Sequence, residues 1–176
     1  MYQKKLERLV IAAMLCAMVF AATWISIPAP VVGNVNLGDA MILLSAWILG
    51  GPWAVAAAAA GATLTDLMGA YAAYAPGTLV IKALMTASAI LLLKICRKAR
   101  LPMLPSLLIS GACAEAIMIL GYYLYEAVFF SLGFGAAALN IPFNAMQGAI
   151  SLTLAVLCRL LLKKTGFRLP VDSDQI

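Results

Sequence analysis

The sequence contains no histidine, which excludes histidine-based zinc sites and catalytic triads of the Ser-His-Asp type. It also lacks the glycine-rich loop of P-loop nucleotide sites. The four cysteines are far apart, without the paired spacing of metal ligands, and we interpret them as small apolar packing residues: Cys16, Cys96, Cys113 and Cys158. These absences predict no metal, no cofactor and no enzymatic activity.

Charged residues are scarce as well. They make up 11% of the 176 residues, whereas 65% are hydrophobic, and soluble domains contain about 25% charged residues. The mean hydropathy is +1.02. Several uncharged runs reach the roughly 20 residues that a helix needs to cross a bilayer. The composition therefore predicts an all-α integral membrane protein with several spans.

The net charge of +5 arises from three basic clusters, which contain eleven of the twelve lysines and arginines. The clusters are Lys4, Lys5 and Arg8; Lys94, Arg97, Lys98 and Arg100; and Arg159, Lys163, Lys164 and Arg168. They lie before the first apolar run, between two later runs and after the last run. This distribution is typical of cytoplasmic loops and does not indicate nucleic-acid binding. We expect both termini to be cytoplasmic.

The apolar runs predict six transmembrane helices in a single domain, 1–176. The predicted helices cover about 7–27, 37–50, 52–69 and 76–95, then from 102–105 to about 130, and 141–162. The uncharged stretch between Asp39 and Asp66 is long enough for one span. A single span would place the second basic cluster on the opposite side from the first, so we divide the stretch at Gly50-Gly51-Pro52.

Polar residues gather in the outer half of this arrangement. An ionisable side chain within a membrane costs roughly 2.5–3.5 kcal/mol on insertion scales and is a functional hypothesis by default. We therefore predict a small-molecule site, with Glu115 nearer the middle of the membrane and Glu126 in the outer cluster. The candidate substrate-binding residues are Asn36, Asp39, Asp66, Tyr71, Tyr74, Lys82, Glu115, Tyr122, Asn140, Asn144 and Gln147.

Each group also has a structural interpretation. Asp66 and Lys82 could form an ion pair between two helices, and Asp39 could cap the second helix. Tyr71 and Tyr74 could belong to an interfacial aromatic belt. If the site is real, its four acids and one lysine give it a negative charge. That sign disfavours anionic vitamins and favours a neutral or cationic heteroaromatic ligand.

Ala13, Ala17 and Ala21 recur every four residues on one face of the first helix. Small residues at this spacing allow another helix to approach closely. That helix belongs either to this chain or to a separate membrane subunit.

The chain resembles the substrate-binding S components of energy-coupling-factor (ECF) vitamin transporters. The resemblance is carried by the alanine stripe, by Val35-Asn36-Leu37-Gly38-Asp39 with Leu49-Gly50-Gly51-Pro52, and by Asp66-Leu67-Met68-Gly69-Ala70-Tyr71, Tyr74-Ala75-Pro76-Gly77-Thr78 and Ile81-Lys82-Ala83-Leu84. It implies capture of a vitamin from the extracellular side of a prokaryotic cell membrane. It also implies that a membrane T subunit docks on the alanine stripe and that two cytoplasmic ATPases supply the energy.

Within that family the chain is most similar to the branch assigned to pyridoxine or the hydroxymethyl pyrimidine precursor of thiamine. A riboflavin-specific S component is an alternative. A second alternative is an autonomous secondary transporter in which Glu115 and Asp66 carry protons. A membrane enzyme built around Gly38-Asp39 is a third, but a partner Tyr-Asp motif is absent.

Overall fold

The computed structural model describes residues 2–29, 31 and 33–165. Arg168, which belongs to the third basic cluster, lies outside the described residues. Within this part the chain is almost entirely helical and contains six helices of 11 residues or more. They are α1 (Tyr2–Trp24), α2 (Gly38–Ile48), α3 (Gly51–Met68), α4 (Ala75–Lys98), α5 (Met103–Val128) and α7 (Ile141–Lys164), with the short α6 (Gly133–Ala137) before the last.

Four helical segments are long and apolar enough to cross a membrane by themselves: Gln3–Trp24, Ala72–Lys98, Met103–Val128 and Gly133–Lys164. The α3 helix has 18 residues, whereas the 11 residues of α2 extend only about 16 Å. The predicted all-α membrane fold with six helices is confirmed. The predicted bounds differ from those observed by a few residues at each end.

The division between α2 and α3 falls at Gly50-Gly51-Pro52, as predicted. Gly50 and Gly51 both have positive φ angles, +60° and +62°, which residues with a Cβ rarely adopt. Pro52 lies in the first turn of α3, where its missing N–H leaves no hydrogen bond unmade. The two glycines therefore reverse the chain, and the proline starts the next helix.

The short helix α2 forms the centre of the bundle. All its residues except Met41 are buried, and it contacts α1, α3, α4 and α7. Near its C-terminal end Trp47 is fully buried and donates a hydrogen bond from Nε1 to Ser110 Oγ on α5, 3.2 Å away. Because neighbouring helices surround it, α2 is held by protein contacts along its whole length.

Three segments between the predicted helices contain regular structure, one of them a turn of 3₁₀-helix at Ala72–Tyr74. The 28–36 segment belongs to an antiparallel hairpin, β1 (Ser26–Pro28) paired with β2 (Asn34–Asn36), so the first helix ends at Trp24 rather than at 27. The 131–140 segment holds α6 and a turn of 3₁₀-helix, Ala138–Asn140. We call the end of the bundle with β1 and β2 the hairpin end, and the end with Arg97, Lys98, Lys163 and Lys164 the basic end.

Candidate functional site at the hairpin end

A polar cavity lies inside the bundle at the hairpin end. Seven of the predicted substrate-binding residues line it: Asn36, Asp66, Tyr74, Lys82, Tyr122, Asn144 and Gln147. Six further residues complete the lining: Thr23, Gly33, Asn34, Ala62, Thr78 and Glu126. The cavity volume is about 30 Å³, roughly the space of one water molecule. Ligand pockets usually measure about 300–1,000 Å³, so a ligand requires these side chains to move apart.

The lysine of the site is neutralised by Asp39. Lys82 Nζ on α4 lies 2.5 Å from Asp39 Oδ1 on α2, and both side chains are buried. Gln147 Nε2 on α7 donates to the other carboxylate oxygen, Oδ2, over 2.6 Å. Lys82 therefore pairs with Asp39 rather than with Asp66, and the predicted Asp66–Lys82 ion pair is wrong. Asp39 lies in the first turn of α2 as expected, but its side chain makes no capping hydrogen bond.

The amide of Gln147 also holds the hairpin. Its Oε1 accepts a hydrogen bond from the backbone N–H of Asn36 over 2.8 Å. The Asn36 side chain in turn donates from Nδ2 to Asn34 Oδ1 over 2.8 Å, and its Oδ1 accepts from the N–H of Gly38 over 2.9 Å. Gln147 thus connects α7 to β2 with one end of its amide and to α2 with the other.

A second cluster of polar residues closes the cavity beneath the hairpin. Glu126 on α5 accepts a hydrogen bond from Tyr74 Oη at 3.1 Å and another from Asn140 Nδ2 at 2.9 Å. All three residues are buried. Asn140, predicted to bind substrate, therefore contacts the Glu126 carboxylate and is absent from the cavity lining. Its position supports the wall that Tyr74 and Glu126 form.

Tyr122 and Thr78 form the wall between α5 and α4. Their hydroxyl groups lie 3.1 Å apart, within hydrogen-bonding distance. Lys82 Nζ lies 5.1 Å from the centre of the Tyr122 ring, a cation–π distance. Asn144 lines the cavity with its side chain buried. Together with Tyr74 these groups offer aromatic faces beside hydrogen-bonding atoms.

Glu115 lies outside the cavity lining. It is buried on α5, and neither carboxylate oxygen has a hydrogen-bond partner among the described residues. Its side chain packs against the Cα of Gly148 on α7, where an added Cβ would lie 3.0 Å from Oε2. Lys82 and Asp39 are its charged neighbours. Glu115 therefore lies beside the Asp39–Lys82 pair without lining the cavity.

A wider cavity, of about 400 Å³, lies towards the outside of the hairpin end. Its lining includes Val31, Tyr71, Tyr74 and Phe130. Tyr71 thus belongs to this outer cavity, where its ring packs edge-on against Tyr74 at 6.3 Å between centroids. Tyr74 and Gly33 line both cavities. They separate the inner polar space from the outer, mainly apolar one.

The alanine stripe faces away from the bundle. Ala13, Ala17 and Ala21 are all exposed, whereas Leu15 and Val19 on the opposite face of α1 are buried. The inner contact of α1 with α3 instead uses Gly61, where a Cβ would lie 2.6 Å from the carbonyl oxygen of Cys16. The stripe is therefore not used for packing among the described helices.

Thr23, Asn34 and Thr78 were not assigned to the site from the sequence, although Thr78 was named in a motif. A single threonine one turn from the end of an apolar helix gives no periodic signal. Thr78 shares a helix face with Lys82, and that spacing was a usable signal.

Comparison with known proteins gives two findings. The model of the family described as ECF-type riboflavin transporter, S component, matches residues 3–164. The structure reported under "Structure and mechanism of the S component of a bacterial ECF transporter" superposes with a TM-score of 0.68 at 20% identity, covering 94% of this chain and 99% of that chain. At this identity the likeness shows a shared fold. No curated protein matches the sequence.

Proposed function

Because the chain belongs to the family of ECF-type riboflavin transporter S components, we propose that it captures a small neutral or cationic heteroaromatic vitamin. The two candidate ligands are pyridoxine and the hydroxymethyl pyrimidine precursor of thiamine. An S component is the substrate-binding subunit of a transporter and not an enzyme. The observation that carries the choice of ligand is the charge of the inner cavity.

The charges around this cavity favour a ligand without a negative group. Lys82 is neutralised by Asp39, while Asp66 and Glu126 line the cavity and Glu115 lies behind the ion pair. An anionic ligand would meet these acids without a cation to balance its own charge. A neutral or protonated ring with hydroxyl or amino groups matches the acceptors, the amides and the tyrosine faces.

Riboflavin is the second candidate, because the matching family is described by that vitamin. The ring system of riboflavin is also a neutral heteroaromatic. It is larger than the other two candidates, so it requires a greater expansion of the inner cavity and occupies more of the outer one.

The orientation follows from the basic end. Arg97, Lys98, Lys163 and Lys164 lie in the last turns of α4 and α7, and lysines and arginines gather on the cytoplasmic side of membrane proteins. We infer that this end and both termini face the cytoplasm of a prokaryotic cell. The hairpin end then faces outward, where a vitamin is captured.

The proposed partners are a membrane T subunit and two cytoplasmic ATPases. The exposed stripe Ala13, Ala17 and Ala21 supports docking of a T-subunit helix on α1, because small residues allow close helix contact. The ATPases supply the energy for import.

Calorimetric titration of the purified protein in detergent tests the ligand. Pyridoxine, hydroxymethyl pyrimidine and riboflavin are titrated in turn, with the anionic vitamins biotin and pantothenate as controls. Binding of one heteroaromatic with micromolar or tighter affinity, without binding of the controls, is the expected result. Failure of all three to bind, or tight binding of an anionic control, would reject the proposed ligand class.

Co-purification with a T subunit tests the docking surface. Ala17→Trp should abolish the complex and leave vitamin binding unchanged, since Ala17 lies on α1 away from the cavity. Ala87→Trp on the exposed face of α4 is the matched control. Retention of the complex by the Ala17 variant would refute docking at the stripe. ATP-independent, proton-driven uptake by the chain alone in proteoliposomes would instead support a secondary transporter.

A further inference from the structure

One wall of the inner cavity, between α1 and α3, carries polar atoms without partners. Thr23 near the end of α1 and Asp66 near the end of α3 both line the cavity, and their side chains are 4% and 6% exposed. Among the described residues, neither Thr23 Oγ1 nor Asp66 Oδ2 has a hydrogen-bond partner. We call Thr23 and Asp66 the α1–α3 pair.

Several other polar groups of the cavity differ in this respect. Lys82 is paired with Asp39, Tyr74 with Glu126, and the Thr78 hydroxyl lies within hydrogen-bonding distance of Tyr122. Buried polar groups in folded proteins usually have hydrogen-bond partners, so those that lack one need an explanation. The α1–α3 pair is a place where a ligand can supply the missing partners.

The hydroxyl of Thr23 is held in place by close packing. It lies against the Cα of Gly38 at the start of α2, so closely that a Cβ at this position would overlap Oγ1. The adjoining helices are also fixed, because Thr65 Oγ1 on α3 donates to the carbonyl of Phe20 on α1 over 3.3 Å. Both members of the pair therefore have defined positions before a ligand arrives.

The chemistry of the pair defines an edge of the ligand. A carboxylate only accepts hydrogen bonds, whereas a hydroxyl can donate one. We propose that the α1–α3 pair is a specificity site for a ring edge with an N–H donor beside an acceptor atom, the N–H bonding Asp66 and the acceptor bonding Thr23. This assignment rests on the proposed function.

Two of the candidate vitamins carry such an edge. Hydroxymethyl pyrimidine presents its amino group beside a ring nitrogen, and riboflavin presents an imide N–H beside a carbonyl. Pyridoxine lacks this edge, because its ring nitrogen, even when protonated, lies between two carbons without an acceptor atom. The pair therefore favours hydroxymethyl pyrimidine over pyridoxine, with riboflavin as the other source of the same edge.

Paired ligands test the assignment. The probes are hydroxymethyl pyrimidine with its deamino analogue, and riboflavin with its derivative methylated at the imide nitrogen. The wild-type protein should bind the N–H-bearing ligand about tenfold or more tightly than its matched analogue. This difference in affinity is expected for a hydrogen bond to a charged group. Asp66→Asn should reduce this preference. Thr23→Val should weaken binding of both members of the ligand pair, because both keep the acceptor atom, and Thr23→Ser should bind them as the wild type does.

Thr63→Val is the matched control, because Thr63 Oγ1 on α3 is also buried without a partner but does not line the cavity. It should keep the wild-type preference. Thermal unfolding identifies any variant that fails to fold, and Thr23→Ser, which keeps the hydroxyl, should bind both members of the ligand pair with wild-type affinity. A wild-type preference in Asp66→Asn, or wild-type affinity for both members of the ligand pair in Thr23→Val, would overturn the assignment. If the wild-type protein binds none of the probes and does not bind pyridoxine, both the proposed function and the assignment are overturned.

Discussion

Removal of the Lys82 side-chain charge should destabilise the protein strongly. Lys82 is 3% exposed and Asp39 is fully buried. In Lys82→Met the Asp39 carboxylate keeps its hydrogen bond from Gln147 but loses the only cation in contact with it among the described residues. Breaking a buried ion pair from one side typically costs about 3–5 kcal/mol, because the other charge stays buried without compensation.

This cost corresponds to a measurable shift. For chains of this length about 1 kcal/mol changes the unfolding midpoint by about 2–4 °C, so Lys82→Met should lower Tm by about 6–20 °C. Fluorescence-monitored thermal unfolding in detergent measures it. Lys94→Met, an exposed lysine on the same helix, is the matched control and should change the free energy of unfolding by no more than about 0.5 kcal/mol.

The double variant Lys82→Met/Asp39→Asn separates charge from packing. Its asparagine carries no charge and still accepts the hydrogen bond from Gln147, so most of the lost stability should return. If the double variant is no more stable than Lys82→Met, or if Lys82→Met unfolds at the same temperature as Lys94→Met, the ion pair does not have the role described.

Three further predictions concern close contacts. Gly33→Ala should slow vitamin association in stopped-flow measurements, because its Cβ would lie 3.0 Å from Tyr74 Oη. Gly133→Ala is the control and should leave the association rate unchanged, because Gly133 also has a positive φ but open space around it. Tyr74→Phe removes the hydrogen bond to a carboxylate and should speed vitamin dissociation about tenfold; an unchanged rate would contradict a closing role. Gly61→Val places a Cβ 2.6 Å from a carbonyl oxygen of α1 and should lower Tm, and an unchanged Tm would argue against close α1–α3 contact.

The fold was largely predictable because charge placement constrains membrane topology. The three basic clusters required an even number of crossings between them, and only a break at Gly50-Gly51-Pro52 satisfied that requirement. The glycines there do adopt positive φ angles. The hairpin was missed because its strands have three residues each, too few for an alternating pattern to emerge.

The site was predictable in part. Asn144 and Gln147, three residues apart on the last helix, were both named as candidate residues, and both line the cavity. Spacing within a helix does not give the rotation of its neighbours, which decided that Lys82 meets Asp39 and not Asp66. For the same reason Tyr122 lines the cavity, whereas Glu115, seven residues earlier on the same helix, does not.

The two hydrogen bonds of the Gln147 amide have a consequence for synthesis of the protein. They join α7 to residues 111 and 108 positions earlier in the chain, whereas the Asp39–Lys82 pair spans only 43 positions. A growing chain can therefore form the ion pair as soon as α4 has entered the membrane. The hydrogen bond from α7 to the hairpin forms only when the last helix arrives, so the proposed binding site is completed after the rest of the bundle has inserted.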